Sequence, residues 1–149
     1  MNWLLPIRSF VILATILIAN PISPWAQSTV SLTVQVIQAS RVGNTIDPSL
    51  EKIRAQLKSL NYSSYRLVAT HPLSTTIGTK QAVALPGGRM LDLYPYGLSG
   101  ETIELLVTIT DGSRRVLDTT FRLPNRGTIL VGGPAHADGV LILAISGSF

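Results

Sequence analysis

Between Glu101 and Leu123 apolar side chains recur at every second position, with one interruption at Asp111-Gly112. Ile103, Leu105, Val107 and Ile109 form one row, and Leu117, Thr119, Phe121 and Leu123 form another. A two-residue period is the repeat of an extended strand, whose successive side chains leave opposite faces. The pattern excludes helix here and predicts two antiparallel strands joined by a tight turn, with Asp-Gly supplying the positive φ.

The same period governs most of the remaining chain. Val30, Leu32, Val34 and Val36 alternate with Ser31, Thr33 and Gln35, and the phase blurs at Ile37, which predicts a bulge or a change of burial. Tyr65, Leu67 and Ala69 alternate with Arg66, Val68 and Thr70. Gln81 to Leu85 and Met90 to Tyr94 flank the turn signal Pro86-Gly87-Gly88. Gly127 to Val131 and Val140 to Ser146 flank a glycine-rich stretch from Gly132 to Gly139, read as a long hairpin loop. Val140 to Ile145 is apolar on both faces, as befits a strand in mid-sheet covered on both sides.

One segment breaks the rule. From Asp47 to Leu60, Leu50, Ile53, Leu57 and Leu60 fall at steps of three, four and three, a stripe on one side of a helix. Asp47 suits the N-cap and Pro48 the first helical position, while Asn61 suits a left-handed exit. Strand, helix, then a run of hairpin-linked strands predicts an α+β, mainly β fold. The expectation is an antiparallel sheet or β-sandwich of about eight strands with one amphipathic helix packed on it.

The first residues have a different logic. Arg8 precedes the apolar run Ser9 to Ala19; Asn20, Pro21 and Pro24 end it, and Ala26 offers a small-residue exit. That order predicts a cleaved signal peptide over 1–26 and a single β-rich exported domain over 27–149. The apolar run is about 11 residues, short of the ~20 that a spanning helix needs, so no transmembrane anchor is expected after cleavage. The chain has no cysteine. Disulfide staples and thiol chemistry are therefore excluded, and apolar burial alone must hold the domain. The leader and the missing cysteines together read as bacterial, with the product in the periplasm or secreted. The formal charge of +4 falls to about +3 without Arg8, and only Arg114 and Arg115 are adjacent cations past the leader. No basic stripe with interleaved aromatics is present, so no nucleic-acid partner is expected. Asn61-Tyr62-Ser63 matches the glycosylation triplet, a short pattern that recurs by chance.

Candidate chemistry is sparse. His136 and Asp138 lie two apart in the glycine-rich loop, and with His71 they form a candidate catalytic group: metal ligands, or a base with an orienting carboxylate. The competing and preferred reading gives the loop a purely structural role, with no bound metal and no cofactor. Ser49-Leu50-Glu51-Lys52 matches S-x-x-K without its companion motifs and reads as a helix start. Glu101 and Glu104, three apart on a strand, face opposite sides and so do not form a glycosidase pair. Tyr94 and Tyr96, in Tyr94-Pro95-Tyr96-Gly97, are candidate binding residues for stacking on a sugar. The reading these features favour is a non-enzymatic envelope domain that binds or assembles with a protein partner by a sheet edge or an apolar patch. A metal-dependent or hydrolytic enzyme using His71, His136 and Asp138, and a carbohydrate-binding module using Tyr94 and Tyr96, are the alternatives.

Overall fold

The computed structural model describes residues 28–149, so the expected leader lies outside the described residues. Eight strands form two antiparallel four-stranded sheets. β1 (Thr29–Ser40), β2 (Ser64–Thr76), β7 (Thr128–His136) and β8 (Gly139–Ser148) make the first, in the order β2-β1-β8-β7. β3 (Gln81–Leu85), β4 (Arg89–Ser99), β5 (Thr102–Asp111) and β6 (Arg114–Pro124) make the second, in chain order. The expected β-sandwich with one helical segment is what the chain forms.

The inner faces of both sheets supply the larger core. Val30, Leu32, Val34 and Val36 of β1 and Leu141, Leu143 and Ile145 of β8 meet Leu91, Leu93, Leu105, Val107 and Ile109 of the opposing sheet. The outer face of the first sheet has a second core, built from Ile37, Ala39, Tyr65, Ile142 and Ala144 beneath Leu50, Ile53 and Leu57. This explains β8: it lies inside its sheet, and its odd and even residues serve different cores. It also explains the blurred phase at Ile37, where the outer face of β1 passes under the helical segment and both faces become buried.

That segment is less uniform than its apolar stripe predicts. Pro48–Ile53 is a 3₁₀ helix and only Arg54–Lys58 is α-helical, here α1. Leu50 to Ile53 is a step of three, the 3₁₀ repeat, and Ile53 to Leu57 is a step of four, so the stripe stays on one side as the winding changes. Asp47 caps the start by accepting from the Ser49 N–H, and Pro48 opens the first turn as expected. The exit differs: Ser59 keeps a right-handed conformation, Asn61 is not among the residues with positive φ, and the Tyr65 hydroxyl donates to the Leu57 carbonyl at 2.7 Å. A side chain from β2 thus does the work expected of a left-handed residue.

Register corrects three further expectations. Val36 faces Ala69 on β2 but Ile37 faces Leu67, so Val68 is an extra residue in a β-bulge. The row Tyr65, Leu67, Ala69 is therefore split: Tyr65 and Leu67 join the outer core and Ala69 the inner one. The β5–β6 loop is Gly112-Ser113 rather than Asp111-Gly112, because Asp111 pairs with Arg114 and only Gly112 has positive φ. The glycine-rich stretch is mostly strand: β7 continues through an irregularity at Gly133-Pro134 to His136, leaving Ala137-Asp138 as the loop.

The edges of both sheets carry interruptions. Pro72 sits in β2, and the segment before the helix lies along the outer edge of β2, where Ile46 bridges Tyr65. Pro134 interrupts β7, β3 has five residues, and β6 bulges at Val116 beside Arg114 and Arg115. Prolines, bulges, short strands and cations all oppose pairing with a further strand.

Candidate functional site

The Val68 bulge has a local consequence at the end of the first sheet. With unbroken pairing Gln38 would face Leu67, and Arg66 would lie under the helical segment opposite Ala39. The extra residue instead sets Arg66 directly opposite Gln38. Arg66 is the sole Lys, Arg, Asp or Glu in the four strands of this sheet, and the bulge turns it away from the outer core.

Gln38 is 8% exposed and hydrogen-bonded on both ends of its amide. Its Oε1 accepts from Arg66 Nη2, and its Nε2 donates to Asp138 Oδ1 at 2.8 Å. Ser40 Oγ donates to Asp138 Oδ2 at 3.1 Å and accepts from the Val42 N–H at 2.9 Å. A single chain of bonds therefore runs from the guanidinium through a buried amide to a carboxylate and on to the backbone of the following loop. Gln38 and Ser40 are buried, while Arg66 and Asp138 are exposed and close the network on the solvent side.

This network floors an open cleft of about 610 Å³. One wall is the segment Thr45 to Pro48, tied to β2 by Tyr65 N–H to Thr45 C=O at 2.8 Å and Asp47 N–H to Tyr65 C=O at 2.9 Å. Val42, 68% exposed, stands at the rim. Asp47 contributes a second carboxylate, held below its ordinary value of 3.8 by the Ser49 hydroxyl and N–H. The cleft thus offers guanidinium donors from Arg66, carboxylate acceptors from Asp47 and Asp138, and hydroxyls from Ser40 and Ser64.

The residues singled out in the sequence are not gathered into one place. Asp138 is part of the network, but its loop neighbour His136 lies at the end of β7 beside the β3–β4 turn, with Nδ1 about 4 Å from where a Cβ on Gly87 would stand. His71 pairs with Val34, six positions along β1 from Ser40, or about 20 Å at the rise of an extended chain. Among the described residues no group of three His, Cys, Asp or Glu is arranged to hold a metal. Ser49 spends its hydroxyl on Asp47 at 2.5 Å, not on Lys52. Tyr94 and Tyr96 do lie together on the outer face of the second sheet, with centroids 6.3 Å apart and planes 28° apart.

Gln38 and Arg66 were not singled out in the sequence, although a signal existed. Arg66 is the one Lys, Arg, Asp or Glu between Lys58 and Lys80, and Gln38 is a polar residue inside the run Val34 to Ala39. No protein-family model matches the chain, and neither a curated protein nor a solved structure is similar to it.

Proposed function

We propose that the chain is an exported, non-enzymatic binding domain of the bacterial envelope, and that it holds an extended segment of a partner protein in the cleft. The observation that carries this reading is the hydrogen-bonded row Arg66–Gln38–Asp138–Ser40 on the cleft floor. An extended main chain presents alternating carbonyls and N–H groups, and the row presents donors from Arg66 beside acceptors from Asp138. Val42, 68% exposed at the rim, adds an apolar surface that a partner segment would cover. The interruptions along the sheet edges favour the cleft over strand addition as the contact. With two carboxylates against one guanidinium, the cleft disfavours an acidic segment.

The test is photo-crosslinking in the producing cells from a reactive residue at position 42, with the exposed position 74 at the opposite end of β2 as control. The expected result is a discrete protein adduct from position 42 that Arg66→Ala reduces at least tenfold while the variant still folds and unfolds cooperatively, with a lowered melting temperature because the buried Gln38 oxygen loses its donor. Equal adducts from both positions, or adducts indifferent to Arg66→Ala, would overturn the reading.

A further inference from the structure

The second sheet turns its outer face to solvent, and one part of that face is unlike the rest. β4 carries an extra residue, Tyr96, because Pro95 pairs with Leu105 and Gly97 with Glu104. Tyr94 and Tyr96, two apart on β4, lie on the same side with their rings stacked and Tyr96 42% exposed, and the bulge brings Gly97 opposite Glu104 beside them. A buried tyrosine pair would be ordinary packing; an exposed one displays an aromatic face to water.

Polar groups lie beside it. Gly97, Glu104 and Arg122 are cross-strand neighbours in one row, and Arg122 Nη2 lies 3.8 Å from Glu104 Oε1. Gly97 makes that arrangement possible: a Cβ there would be 2.9 Å from Glu104 Oε2, so any side chain would displace the carboxylate from across β4. Glu104 and Arg122, with Ser99 and Thr102, line a depression of about 170 Å³. An apolar ring surface is thus set next to a carboxylate, a guanidinium and two hydroxyls, on a rigid sheet and away from the cleft.

We infer that this face is a second binding site, and that it takes a pyranose unit of a neutral glycan. A pyranose ring presents axial C–H bonds on one face and hydroxyls around its rim. The C–H face stacks on Tyr96, the hydroxyls bond to Glu104 and Arg122, and neither group must be desolvated without a partner. The adjacent opposite charges disfavour a strongly anionic or cationic ligand, because each attraction is offset by the neighbouring repulsion.

The inference is tested by titrating tetramers of β-1,4-linked N-acetylglucosamine and of β-1,4-linked glucose, and separately an α-1,4-linked glucose heptamer, into the ¹⁵N-labelled exported chain. The expected result is saturable shifts of the Tyr96, Gly97 and Glu104 amides with at least one of the three. Tyr96→Ala should weaken that binding at least tenfold, Tyr96→Phe should retain it within about threefold, and Glu104→Gln should weaken it measurably. No saturable shift with any glycan at about 10 mM would overturn the inference. So would shifts that map to the cleft, or shifts of these amides that follow protein concentration alone and report self-association.

Discussion

Ala137 is held at φ +49 in the two-residue loop between β7 and β8, a region that disfavours any residue with a Cβ. The left-handed conformation costs such a residue about 1–2 kcal/mol, while glycine gives back part of that through its freer unfolded chain. Ala137→Gly is expected to stabilise the domain by about 0.5–1 kcal/mol in denaturant unfolding; no gain would mean that the loop is not strained there. Asp47 makes a pH prediction. Its carboxyl is held below 3.8 in the folded chain by the Ser49 hydroxyl and N–H. A depressed folded value means that the stabilisation is complete above the unfolded value and is lost as pH falls through the folded one. Asp47→Asn keeps an acceptor but no charge, so the stability difference between the native chain and this variant should shrink as pH drops below about 4. A difference that stays constant down to the acid transition would contradict the capping role.

At the scale of the element, the decisive feature is a residue that no pattern announces. Tyr65, Leu67 and Ala69 read as one uninterrupted row, and only the partner strand reveals that the row is broken at Val68. Strand identity was legible because each strand writes its own period. Register was not, because it belongs to pairs of strands distant in sequence. The same limit explains the site. Asp138 could be picked out as a polar loop residue, but its partners Gln38 and Ser40 lie 100 and 98 residues away. The helical stripe was legible as a face, while its division into 3₁₀ and α turns was not, since steps of three and four fit both. Deleting Val68 should remove the bulge yet leave Ile37 opposite Leu67 and Gln38 opposite Arg66, so the variant is expected to fold with a loss under about 2 kcal/mol. Gly139→Ala should do far more harm. Its Cβ would stand 1.8 Å from the Ala39 carbonyl oxygen, forcing β1 and β8 apart at a loss of about 3 kcal/mol in chemical denaturation.

Across the whole molecule, one sheet lies between two cores, and its central strands β1 and β8 serve both. A cysteine-free chain has no covalent staple to offset a defect there. At its end this sheet has polar residues in place of apolar ones, Gln38 and Ser40 on β1 and Arg66 on β2, and these make the cleft floor. Fold and site are therefore linked by a single register shift: the bulge that lets Leu67 enter the outer core also delivers Arg66 to Gln38. The most direct measurement is the cross-strand nuclear Overhauser pattern between β1 and β2 in the purified chain. Contacts are expected from Ile37 to Leu67 and from Gln38 to Arg66, with Val36 still opposite Ala69. Contacts from Ile37 to Val68 and from Gln38 to Leu67 would mean unbroken pairing, and would leave the cleft without its guanidinium.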